Sequence, residues 1–198
     1  MAEPDAEMIT SALTALSGRT YGVPAADNVA DGPGLYAIYG DAASWLELGL
    51  GAASAKTALY VGKADDNLVT RELELHFRGR AGQSAVRRGL GALLRDQLGL
   101  RGLPRNQTRP EKFEYFTLSE EHDAALTAWM TAHLQIAAWP KPSECASLGD
   151  IEVAVLKKWS PPLNLRDSRS TWGAKNVAAF KVMAADARAW AKEHGHKV

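Results

Sequence analysis

Two short runs bound what this chain can become. Gly34 to Tyr39 and Ala58 to Gly62 are apolar and aromatic, each with glycine at one end. Such composition suits a pleated, half-buried surface, so both runs are predicted to be strands. They predict a hairpin that sets Gly34-Leu35-Tyr36 beside Tyr60-Val61-Gly62 across a long Gly/Ala/Ser-rich connection, Asp41 to Lys56.

The rest of the chain supplies helices and two more short strands. Met8, Ile9, Leu13 and Leu16 fall near helical spacing before Gly18. Asn67 or Thr70 is placed to cap a helix entering Leu73, Leu75 and Phe77. Ser84 is placed to cap another, through Val86, Leu90, Leu93, Leu94 and Leu98, with Arg87, Arg88 and Arg95 off its apolar stripe. Phe113 to Leu118 reads as a third strand. Ser119-Glu120-Glu121 opens a helix through Met130 and Leu134, favoured by its acidic first turn. Gln135 to Trp139 reads as a fourth strand. Asp150 is read as the cap of a helix that Pro161-Pro162 ends, and 175–193 as a last alanine-rich helix. No repeat or flexible linker breaks the 198 residues, which predicts one domain.

Composition excludes several classes. Hydrophobic residues make up 46% and charged residues 23%, as in a globular protein. One cysteine, Cys145, allows no intramolecular disulfide and suits a reducing cytoplasm. The acidic N-terminus has no apolar core of a signal peptide, and no run approaches the roughly 20 residues that span a bilayer.

The net charge is zero, but it is unevenly spread. Residues 1–62 hold seven acids and two bases. Residues 77–110 hold eight arginines and one acid, Asp96. That is a local basic footprint suited to phosphates, although a solvated arginine-rich face reads the same way. Gly79 to Ser84 lacks the Gly-Lys-Ser/Thr ending of a phosphate-binding loop, so no nucleoside triphosphate site is read there.

Six residues, in order, carry the candidate chemistry: Tyr36, Tyr60, Arg71, His76, Glu152 and Asn164. Each has a plain reading. Strand tyrosines usually pack, and Arg71 suits a solvated helix. A histidine beside Phe77 suits a half-buried helix end, a glutamate early in a helix complements the dipole, and an asparagine after Pro-Pro suits a turn. Their joint order, closing with Glu152 and Pro161-Pro162-Leu163-Asn164, resembles the GIY-YIG nuclease family over roughly residues 34–166.

The resemblance implies an α/β (α+β) core, a small antiparallel or mixed sheet of three to four strands flanked by helices. Residues 1–33 would be an N-terminal helical extension and 170–198 a C-terminal helix. It implies a one-metal DNA endonuclease using Mg²⁺ or Mn²⁺, with Glu152 as metal ligand. Arg71 would hold the scissile phosphate, and Tyr36 or Tyr60 would activate water. His76 would relay a proton or orient a tyrosine, and Asn164 would fix geometry. Lys63, Arg78, Arg80, Arg87 and Arg88 would contact the backbone of double-stranded DNA. A cytoplasmic protein, with a homodimer as one way to cut two strands, completes the expectation; a degenerate nucleic-acid-binding relative is the alternative.

Three departures stand out. Tyr36 and Tyr60 lie about twice as far apart as usual in the family, which a longer loop tolerates because closure entropy grows slowly with length. Trp45 would mark that loop as a substrate-contacting insertion. Arg71 and His76 are five apart, about 140° around a regular helix, where many relatives use four. Arg87 and Arg88, then Arg78 and Arg80, are the substitutes this suggests. The arginine-rich 77–110 segment is the third.

Overall fold

A computed structural model describes residues 6–22, 31–52, 57–69, 75–165 and 170–197. Arg71, the cap candidate Thr70 and Leu73 lie outside the described residues.

One four-stranded antiparallel sheet organises these residues, in the order β1-β4-β2-β3. The strands are β1 (Tyr21–Gly22), β2 (Gly34–Gly40), β3 (Tyr60–Ala64) and β4 (Leu134–Pro140). β2 and β3 form the expected hairpin, with Tyr36 opposite Gly62 and Ile38 opposite Tyr60. β4 arrives from far along the chain and pairs with β2 over seven residues.

Strand alternation sorts side chains onto two buried faces. Leu35, Ala37, Val61 and Trp139 face α1 (Ala6–Leu16) and α5 (Leu148–Trp159). Tyr36, Ile38, Leu134 and Ile136 face the larger core. That core also takes side chains from α2 (Ala42–Glu47), α3 (Ala85–Leu93), α4 (Glu120–His133) and α6 (Thr171–Glu193). Because both faces are covered, β2 reads as a continuous apolar run rather than an alternating one.

Several local expectations change. The long connection contains α2, capped by Asp41, whose side chain accepts from Ser44 N–H at 2.7 Å. Trp45 on that helix is buried against Trp172 of α6, ring centroids 5.7 Å apart, so it anchors the insertion instead of meeting substrate. Phe113–Tyr115 is a 3₁₀ turn, and the expected strand reduces to a bridge between Thr117 and Leu103. Helix α5 is capped by Ser147, whose hydroxyl accepts from Asp150 N–H, so Asp150 sits inside the first turn. Helix α3 ends at Leu93, short of Leu98, and α6 starts at Thr171, capped by Ser170.

Helix α6 packs back onto its own chain. Arg95 bonds both carboxylate oxygens of Asp186, at 2.8 and 2.9 Å. Asn176, buried on the same helix, donates to the carbonyls of Pro162 and Leu165. One helix therefore holds both α3's end and the turn that follows α5.

Candidate active site

The hairpin brings the two tyrosines together because of one glycine. Tyr36 lies directly across from Gly62, and its ring leans over the bare Cα. A Cβ at position 62 would stand 2.6 Å from Tyr36 Oη and 2.8 Å from Tyr60 Cε1. The ring centroids of Tyr36 and Tyr60 are 6.1 Å apart.

His76 completes an aromatic cluster, 5.5 Å from Tyr36 and 6.2 Å from Tyr60. Its Nε2 lies 2.6 Å from Tyr36 Oη, and its Nδ1 lies 2.8 Å from Ser84 Oγ. Ser84 caps α3, so its oxygen accepts from Arg87 N–H at 3.1 Å. Ser84 and Tyr36 both carry fully buried hydroxyls, and each can give its proton to the imidazole, so the tautomer of His76 sets the direction. With the proton on Nε2, His76 accepts from Ser84 and donates to Tyr36 Oη. A hydrogen-bonded chain thus links Ser84, His76 and the phenol.

Behind the histidine, Arg87 is fully buried. Its guanidinium donates to the His76 carbonyl at 3.1 Å and to Asp123, and the ion pair spans 3.0 Å. Asp123 also accepts from Ala81 N–H at 3.1 Å. Arg87 is therefore closed off from any phosphate, contrary to its expected DNA contact and its expected place off the apolar stripe. Arg88 is partly buried, donates to the carbonyls of Ala81 and Gly82, and packs its guanidinium over Tyr115. Arg78 and Arg80 are exposed, Arg80 in an ion pair with Glu120.

Asn164 closes the open edge of β3. Its Oδ1 accepts from Val61 N–H and its Nδ2 donates to the Val61 carbonyl, both at 2.8 Å. Leu163 N–H adds a bond to the Leu59 carbonyl at 2.9 Å. An amide side chain here replaces the neighbour that an edge strand lacks. The asparagine fixes the strand that carries Tyr60 and Gly62.

A cavity of ≈ 730 Å³ opens beside this hairpin, lined by Tyr36, Tyr60, Lys63, Asp65, Asp66, Gln83 and Glu152 among others. Tyr36 forms its floor and is itself buried, while Tyr60 and Glu152 are half-buried. Helix α5 delivers Glu152 there because Ile151 and Val155, its apolar neighbours, are buried beneath the sheet. Lys63 bonds Asp65, and Asp66 and Glu152 add further carboxylates to the lining. No group of three or more His, Cys, Asp or Glu side chains is placed to hold a metal among the described residues. A single hard carboxylate with acids nearby still fits an ion of the Mg²⁺ type, which retains several waters and takes its remaining ligands from phosphate.

The structure thus unites Tyr36, Tyr60, Lys63 and Glu152 around one cavity, with His76 buried behind Tyr36 and Asn164 bracing the strand of Tyr60. Arg71 is outside the described residues, and Arg78 and Arg80 do not line the cavity. Sequence reading saw Ser84 only as a cap and gave Asp123 and Asn176 no part in the site. Ser84's hydroxyl serves cap and histidine at once, which spacing alone does not reveal.

The GIY-YIG catalytic domain model matches residues 41–182. The match contains Tyr60, Gly62, His76, Glu152 and Asn164, and extends into α6; Tyr36 stands just before it. No curated protein and no solved structure matches the chain. With the match spanning more than two thirds of its length, and with the paired tripeptides closed by Glu152 and Asn164, this chain belongs to the GIY-YIG catalytic domain family.

Proposed function

We propose that this chain is a metal-dependent endonuclease that hydrolyses phosphodiester bonds in double-stranded DNA. The convergence of Tyr36, Tyr60 and Glu152 on one cavity supports that reading most directly. Family membership supports the nuclease class. Mg²⁺ or Mn²⁺, bound through Glu152, would polarise a phosphate oxygen and lower the pKa of its water.

The protein's own groups supply the rest. Tyr36 or Tyr60 takes the proton of the attacking water. A tyrosine with an ordinary pKa near 10 needs help to act as a base, and His76 with its proton on Nε2, donated to Tyr36 Oη, gives it by stabilising phenolate. Asn164 and Gly62 keep the phenols in register, and Arg71 is the cation we assign to the scissile phosphate. The chain works as one domain in the cytoplasm, and cleavage of both strands uses two copies or two encounters. Among the described residues, no helix is long and apolar enough to cross a membrane.

The test is conversion of supercoiled plasmid with Mg²⁺, with Mn²⁺ and with EDTA, beside Glu152→Ala. Metal-dependent nicking that vanishes in the variant is expected. Tight binding with no cleavage by either protein would make the chain a binding relative instead.

A further inference from the structure

We propose that a second groove beside the candidate active cavity holds one or two unpaired nucleotides of the DNA strand being cut, with a base stacked on Tyr115. The proposal rests on the nuclease reading. The groove measures ≈ 820 Å³ and is lined in part by Gln83, Arg105, Gln107, Lys112, Tyr115 and Thr117. Gln83 also borders the active cavity, so a strand leaving one enters the other.

The walls are held in place. Leu103 and Thr117 exchange both backbone hydrogen bonds at 2.9 Å. Asn106 Oδ1 accepts from the N–H groups of Thr108 and Arg109, at 3.0 and 3.1 Å. Tyr115 projects from its 3₁₀ turn with 48% exposure, the Arg88 guanidinium 5.8 Å from its ring centre. An exposed ring with a cation on it is a stacking platform that suits any base.

Charge decides how the occupant is held. Arg80 is paired with Glu120 across the rim, which leaves Arg105 and Lys112 against Glu111. Two cations cannot track a long backbone, so phosphate attraction is minor. Amides, hydroxyls and the aromatic ring remain, and these recognise bases. The volume admits a nucleotide or two but no duplex, which makes the occupant unpaired.

The experiment uses catalytically silenced Glu152→Gln protein and fluorescein-labelled duplexes, blunt or carrying a short 5′ or 3′ single-stranded extension, read by anisotropy. One extended duplex is expected to bind about tenfold tighter than the blunt one, and Tyr115→Ala to erase that difference while Tyr115→Phe keeps it. The salt slopes of blunt and extended duplex should differ by no more than about 1.4, two contacts at roughly 0.7 each. Equal affinity for blunt and extended duplexes, or a preference untouched by Tyr115→Ala, overturns the proposal. Plasmid cleavage by the unmodified protein is scored separately. Absent cleavage with the preference intact removes the nuclease reading and leaves the groove, and the converse removes the groove alone.

Discussion

Gly62 lies directly opposite Tyr36 across the β2–β3 pair, and the phenol occupies the space a Cβ at 62 would need, 2.7 Å from Tyr36 Cζ. Gly62→Ala should therefore push Tyr36 out of its bond to His76. The expected cost is about 1–3 kcal/mol of stability, typical of overpacking, with cleavage lost while the protein still folds. Urea unfolding and plasmid nicking, measured together, separate the two effects.

The direction of the Ser84–His76–Tyr36 chain is open to direct observation. Imidazole ¹⁵N shifts of the intact protein should show His76 as the neutral Nε2–H tautomer. Ser84→Ala removes the donor to Nδ1, so the tautomer should shift toward Nδ1–H, with Ser84→Thr restoring the original. A His76 already protonated at Nδ1 in the unmodified protein would refute the assignment.

Arg87 should behave as a structural residue. Removing one partner of a buried, hydrogen-bonded pair costs about 3–5 kcal/mol. Arg87→Met should show that loss in thermal or urea unfolding. The salt dependence of DNA binding, measured on whatever fraction remains folded, should not change, because this guanidinium meets no phosphate.

Asn164→Ala leaves the Val61 N–H and carbonyl without their partner at the sheet edge. A loss of roughly 1–3 kcal/mol is expected. Asn164→Asp keeps the acceptor but sets a carboxylate against the Val61 carbonyl, and should be no better. Hydrogen exchange at Val61 N–H is the local readout, and it should speed up in both variants.

Asp186 ties acid stability to the last helix. Burial opposes its ionisation, but the Arg95 guanidinium and the Gly102 N–H outweigh burial and hold the carboxyl below its usual range. Its contribution is therefore complete above the unfolded value near 4 and fades as pH falls through the lower folded value. Asp186→Asn should lower stability at neutral pH and flatten the fall in acid, seen as a smaller slope of Tm between about pH 4 and 2.

Much of the site was legible from order alone. Tyrosines on paired strands, then histidine, glutamate and asparagine, are local signals whose partners the fold brings together. Helices with a clear cap, such as those after Ser84 and Ser119, were equally readable. Three things were not. Arg87 sits in a run of arginines that looks solvated, and its burial depends on Asp123 reaching it from another helix. Trp45 sits in a segment that resembles a loop, because Gly and Ser neighbours mask a two-turn helix whose stability comes from packing on Trp172. Phe113 to Leu118 has strand composition but no sheet edge to join, so it folds into a 3₁₀ turn and one bridge.

Asn176 grips the turn that presents Asn164, and it lies far downstream of the tyrosines. During synthesis the hairpin leaves the ribosome more than a hundred residues before the helix that secures its brace. A chain still being made therefore carries both phenols without the clamp that sets their strand. The brace on that strand is completed late, only once translation has passed α6.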